Sequence, residues 1–174
     1  LKSNGLDIVP IIEDLSEMES LQKFRGQVGV RVDLGVQVDS YWDKKIERFG
    51  LSLDDLYSLG KIKNLTTLHY HVGSEIEREA DILKPLKKAM EVYVRLKQEN
   101  PSLDTIDIGG GFPGNFHIKP LYSINGVVHR MVQFLGKFSH EHNIQPPNII
   151  CEWGRYVVSP AQFTIFSILN DKLI

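Results

Sequence analysis

A single cysteine, Cys151, rules out an internal disulfide, so a reducing, cytoplasmic setting is the expectation. No stretch approaches the ~18 apolar residues of a membrane span, and no signal-peptide pattern opens the chain, so no membrane partner is expected. Neither sign of charge dominates. With 20 Lys and Arg against 22 Asp and Glu the net charge is -2, which leaves nucleic acid outside the expected partners. Internal repeats and low-complexity segments are missing too. The first residue is Leu1 rather than methionine, and the chain stops at Leu173-Ile174 directly after an apolar run, so a fragment of a longer protein is expected. What is present is ordinary for a globular domain: 174 residues, 42% hydrophobic and 24% charged.

Short β-prone runs alternate with helical patterns along the chain. Strands are expected over 6–12, 28–34, 65–72, 103–109, 148–151 and 162–169. Ser16-x-x-Glu19 and Ser52-x-x-Asp55 have the form of capping boxes that open short helices, the second stopping near Gly60. A long helix carries Pro85 in its early part and puts Leu83, Leu86, Met90, Val94 and Leu96 on one face, before Asn100-Pro101 ends it. Ile124, Val128, Met131, Leu135 and Phe138 mark another amphipathic helix, broken by Pro146-Pro147. Strands alternating with helices imply parallel βα units with right-handed crossovers. A closed eight-stranded barrel takes about 250 residues, so the fold class is α/β, a partial (β/α)8 barrel. The expected division is 1–158 for the partial barrel and 159–174 for the first strand of a truncated C-terminal β domain.

Three strand ends carry the chemistry. Leu68-His69-Tyr70-His71-Val72-Gly73-Ser74 brings two imidazoles and a hydroxyl to a strand end. His71 can stack on a flat cofactor and Ser74 can bond a phosphate oxygen; Ser74 can equally cap a helix, with Glu77 completing the box, and His69 can be a core histidine. His69 and His71 point the same way on a strand, but no third ligand stands at a zinc-site spacing, so no metal is expected. Asp107-Ile108-Gly109-Gly110-Gly111-Phe112-Pro113 has no Lys-Ser/Thr and is no Walker loop. Its glycines allow backbone N–H groups close to an anion, and a tight turn would need only one or two of them. In Cys151-Glu152-Trp153-Gly154-Arg155-Tyr156, Glu152 can hold a pyridine nitrogen protonated while Arg155 binds phosphate. The same two residues can be a plain surface ion pair. Arg31, on an apolar strand, is either a buried cation in need of a partner or an outward-facing residue.

Taken together and in this order, the segments resemble the fold-type III pyridoxal-phosphate decarboxylases, which include ornithine, diaminopimelate and biosynthetic arginine decarboxylases. Residues 70–74 resemble the family's FHxGS, 107–113 its DxGGGF(P), and 152–156 its E-P-G-R, with Trp153 where proline is usual. Glu13-Asp14-Leu15-Ser16-Glu17 and Arg48-Phe49-Gly50-Leu51-Ser52 are most similar to the arginine decarboxylase branch.

The resemblance implies pyridoxal 5'-phosphate as cofactor, with His71 stacked on the pyridine face and Glu152 paired with the pyridine nitrogen. It implies that Ser74, Gly109, Gly110, Gly111 and Arg155 hold the phosphate and that Arg31 supports the ring. Related racemases put an arginine against that nitrogen, so Glu152 favours decarboxylation. The implied substrate is a basic amino acid or derivative: arginine, ornithine, diaminopimelate or carboxynorspermidine, in polyamine or lysine biosynthesis. The implied assembly is a homodimer. The family's Schiff-base lysine and its later substrate-touching segments have no match in this sequence, so the fragment is expected to be inactive alone. The rival readings are a non-catalytic regulatory homologue of the same fold and an unrelated phosphate-binding barrel.

Overall fold

The computed structural model describes residues 8–21, 24–40, 49–114 and 119–161. Five strands form one parallel sheet: β1 (Ile11–Ile12), β2 (Val28–Arg31), β3 (Leu65–His69), β4 (Thr105–Asp107) and β5 (Asn148–Ile150). Their order in space is their order in sequence. Each strand is laid beside its predecessor, so the sheet grows in one direction without reversal. That is the winding of a βα barrel and not of a doubly wound sheet, where the order turns back at a switch point. The helices are α1 (Glu17–Leu21), α2 (Leu53–Ser58), α3 (Ala80–Glu99), α4 (Ile124–Glu141) and α5 (Gly154–Val158). The expected strand at 162–169, and with it the start of a β domain, lies outside the described residues, as do Tyr41, Trp42 and Arg48.

The core is apolar and continuous. Val30, Leu65, Leu68 and Ile106 of the sheet pack with Leu86, Ala89, Met90 and Tyr93 of α3, all almost wholly buried. Tyr70 and Ile108 share a small cavity with Ile82 of α3 and Met131 of α4, which makes theirs the helix-covered face. Strand alternation then sends His69 and Asp107 to the opposite face. Polar satisfaction is thorough at the far end of α3. The buried Asn100 accepts from the Ile62 N–H at 2.7 Å and donates to the carbonyls of Gly60 (3.2 Å) and Leu96 (3.0 Å).

Several local expectations shift. The hydrogen-bonded strands are shorter than the β-prone runs, because the sequences beyond them peel away to form the rim. Ser52 does cap α2, accepting from the Asp55 N–H at 3.1 Å. At α1 the reach-back comes from Glu17 rather than Glu19: its Oε2 accepts from the N–H groups of Glu13 (2.8 Å) and Asp14 (3.2 Å). Ser74 and Glu77 form no capping box, since α3 begins only at Ala80 after a loop holding Gly73 at φ 143 and Glu75 at φ 55. Those angles are incompatible with a right-handed helix. In α4 the buried stripe is Val127, Met131, Leu135 and Phe138, so Val127 takes the place expected of Val128. Leu83 and Val94 of α3 are only partly buried, whereas Ala89, Val92 and Tyr93 are fully so.

Candidate functional site

The pairing register builds the site's floor. Arg31 stands opposite His69, and His69 opposite Asp107, on three adjacent strand ends. Glu152 follows β5 and continues the ladder, its N–H donating to the Gly109 carbonyl at 2.9 Å. Its Oε2 lies 3.7 Å from His69 Nε2. One atom each from His69, Asp107 and Glu152 fall within 4.8 Å of one another. The His69 side chain is 9% exposed, and neither ring nitrogen has a hydrogen-bond partner. Burial pushes its pKa from 6.5 down to about 4, against the pull of Glu152, and the nearby Arg31 and His71 charges lower it further. At neutral pH it is therefore an uncharged imidazole facing a half-exposed carboxylate. Burial also raises the Asp107 carboxyl, against the Gly109 N–H that it accepts at 3.0 Å and the His71 charge. Arg31 does not point outward unpaired: Nη1 meets Glu13 Oε2 at 3.2 Å, and the guanidinium lies 4.9 Å from the centre of the Phe49 ring.

The glycine triplet lies against His71. Gly110 donates its N–H to His71 Nδ1 at 3.2 Å, which places the proton of the uncharged ring on Nε2. A Cβ on Gly110 would stand 2.8 Å from the Glu152 carbonyl oxygen, and one on Gly109 would stand 2.6 Å from the Tyr70 carbonyl oxygen. Gly109 and Gly111 have φ of 63 and 115, where L side chains are strained. Close backbone approach between three strand ends is thus what the glycines permit. With the Gly109 and Gly110 N–H groups bonded to Asp107 and His71, only the Gly111 N–H of the three takes no acceptor among the described residues.

The opposite wall comes from the loop after β3 and from α5. The Gly111 carbonyl accepts from the Ile76 N–H at 2.9 Å, binding the two loops together. Ser74 lies in the first of them. Arg155 reaches back from α5 and meets Glu75 Oε1 at 3.1 Å. Glu152 and Arg155 therefore do not form a local pair. Trp153, in the position of the usual proline, packs edge-on to Phe112 at 4.5 Å and anchors the Glu152–Arg155 turn in the core.

The structure brings Arg31, His71, Gly109, Gly110, Gly111, Glu152 and Arg155 to one rim, with Ser74 beside them. Sequence reasoning missed Asp107 and Glu75 of this rim and left His69 undecided. Asp107 and His69 were visible as strand-end polar residues, but only the register aligns them, and nothing in the sequence pairs Glu75 with Arg155. A flat, anionic heteroaromatic cofactor fits this arrangement. It would find an imidazole wall, the Gly111 N–H, a guanidinium, and a carboxylate oxygen able to accept from a ring N–H. The His69 nitrogen and the two carboxylates could instead share a divalent cation. His71 would be no ligand in that set through Nδ1, which is occupied by Gly110.

The comparisons with known proteins point to the same cofactor. The family described as pyridoxal-dependent decarboxylase, pyridoxal binding domain, matches residues 3–159. A biosynthetic arginine decarboxylase of Prochlorococcus marinus (strain MIT 9215) is 27% identical over 191 residues, covering 97% of this chain and 30% of the relative. The chain thus spans about 30% of the length of such curated relatives. Among solved structures, the biosynthetic arginine decarboxylase from Campylobacter jejuni superposes with a TM-score of 0.68 at 24% identity, covering 87% of this chain and 28% of that one. A lysine/ornithine decarboxylase from Vibrio vulnificus complexed with putrescine gives 0.60 at 19% identity, covering 82% and 37%. These structures share the fold. The family match sets aside an unrelated phosphate-binding barrel.

Proposed function

This chain belongs to the pyridoxal-dependent decarboxylases, matching their pyridoxal-binding domain over 3–159, and from that we propose that its gene product decarboxylates a basic amino acid, arginine first, with pyridoxal phosphate. The observation that carries the reading is the position of Glu152. Its carboxylate faces an uncharged His69 at 3.7 Å and stands across the glycine loop from His71. Bound pyridoxal phosphate supplies an electron sink for the pair left when an α-carboxylate departs as carbon dioxide. The chain's own residues have distinct tasks. Glu152 holds a proton on the ring nitrogen, and uncharged His69 does not compete for it as a salt-bridge partner. His71 stacks on the ring face, its orientation fixed by the Gly110 N–H. Arg155, Ser74 and the Gly111 N–H bind phosphate, while the Gly109 and Gly110 N–H groups stay bonded to Asp107 and His71. Arg31, clamped by Glu13, sits next in the row, where it would support the ring.

Arginine leads because the 27% identical relative is a biosynthetic arginine decarboxylase and because residues 13–17 and 48–52 have that branch's character. Ornithine, lysine, diaminopimelate and carboxynorspermidine are the other members of the class. The reading includes a homodimer in the cytoplasm, in polyamine or lysine biosynthesis. No helix of the described residues is long and apolar enough to cross a membrane. We also read 159–174 as the entry to a second, β-rich domain.

The test is release of carboxyl-labelled carbon dioxide by the natural gene product from each of these amino acids, with and without pyridoxal phosphate. Cofactor-dependent release from one of them is expected. Cofactor binding without release from any would favour a regulatory homologue, and failure to bind the cofactor would remove the reading.

A further inference from the structure

Glu75 has no part in the reading above, yet it touches the rim's phosphate arginine. It sits directly after Ser74 with φ 55, a left-handed conformation uncommon for a residue other than glycine or asparagine. The conformation turns its side chain inward, where it is 10% exposed. Oε1 forms an ion pair with Arg155 Nη1 at 3.1 Å, and Oε2 is buried without a hydrogen-bond partner. An inward carboxylate with one oxygen unbonded is held there by its arginine. Two other arginines around this loop are already committed. Arg78 is bonded to Asp81 at 2.8 Å and lies 3.7 Å from Asp39, while Arg130 is paired with Glu79. Arg155, whose stem lies against Gly114 just past the glycine triplet, is the arginine that Glu75 neutralises.

We propose that Glu75 is an internal competitor for the phosphate site: its carboxylate occupies Arg155 and sets a low affinity for phosphate-bearing ligands, which must draw the guanidinium away. The inference rests on the pyridoxal-phosphate reading and adds to it a residue that weakens binding. Its signature is selectivity. Removing the negative charge strengthens binding of any ligand that carries phosphate and leaves the phosphate-free analogue alone. A purely structural role would move both together.

The experiment is equilibrium dialysis of the natural gene product against pyridoxal phosphate and against pyridoxal, with inorganic phosphate as competitor. Glu75→Gln keeps size and hydrogen bonding but removes the charge. Glu75→Asn suits the left-handed backbone and is too short to reach Arg155, so it serves if the first variant folds poorly. In either variant the pyridoxal phosphate Kd is expected to fall about tenfold, equivalent to about 1.4 kcal/mol of relieved competition. Inorganic phosphate should compete at correspondingly lower concentration, and the pyridoxal Kd should not change. Unchanged pyridoxal phosphate binding in a folded variant, or an equal shift for both ligands, overturns the proposal and leaves the cofactor reading standing. A wild-type protein that binds no pyridoxal phosphate overturns both.

Discussion

Replacing Gly110 by alanine tests how tightly the rim is assembled. The backbone there is not in the left-handed region, so the conformation itself tolerates a side chain, and the effect comes from space alone. The new Cβ would stand 2.8 Å from the Glu152 carbonyl oxygen, where ordinary contact begins at 3.4 Å. One backbone must retreat by about 0.6 Å, and neither can do so freely. The Gly110 N–H is tied to His71 Nδ1, and the Glu152 carbonyl accepts the Gly154 N–H at 2.9 Å. Retreat therefore loosens the His71 ring on one side or moves the Glu152–Arg155 turn on the other. Overpacking of this kind costs about 1–3 kcal/mol. For a domain of this size that is about 2–4 °C of Tm per kcal/mol. Thermal unfolding of the natural gene product should show that loss, and a pyridoxal phosphate titration should show weaker binding. A Gly110→Ala protein with wild-type Tm and cofactor affinity would refute the claim that the three strand ends are in contact.

Other consequences follow from buried polar groups. Asn100→Ala removes three hydrogen bonds and leaves the Ile62 N–H and the Gly60 carbonyl without their partner, so denaturant unfolding should show a loss of about 2–4 kcal/mol; a loss below about 1 kcal/mol would contradict that geometry. His69, lowered from 6.5 to about 4 in the fold, binds its proton more readily when unfolded. Its stabilising share is complete above pH 6.5 and falls away as pH drops toward 4, where both states are protonated. Wild type and His69→Gln should differ in the slope of stability against pH within that window, and parallel profiles would sink the assignment. Ser52→Ala removes the α2 cap and should cost about 1 kcal/mol, measured in the same unfolding experiment.

The strand ends were readable because a parallel barrel needs each β-prone run to finish in small or polar residues at the same rim. His71, the glycine triplet and Glu152 all stand where that pattern puts them. What could not be read is how neighbouring strands line up. The Arg31–His69–Asp107 row depends on parallel register, which no local sequence encodes, so His69 remained undecided between core and site. The Ser74-x-x-Glu77 pattern failed for the opposite reason. A capping box is a local signal, and two left-handed residues, Gly73 and Glu75, carry the chain past it before a helix can start. Val127 displaced Val128 because a hydrophobic stripe read one residue off still looks amphipathic, and only packing against the sheet selects the frame. The Glu75–Arg155 pair links a loop to α5 and leaves no periodic trace.

The reading also explains Trp153. A proline would stiffen the Glu152–Arg155 turn through its fixed φ, and the indole instead anchors the turn through the Phe112 ring and the core. The two solutions reach the same end, a carboxylate and a guanidinium held apart on one rim.

The most direct measurement is a crystal structure of the natural gene product with pyridoxal phosphate. The account predicts the ring against His71, its nitrogen within hydrogen-bond distance of Glu152, and the phosphate at Gly111, Ser74 and Arg155. A metal ion held by His69, Asp107 and Glu152, or a phosphate bound away from the glycine loop, would contradict it.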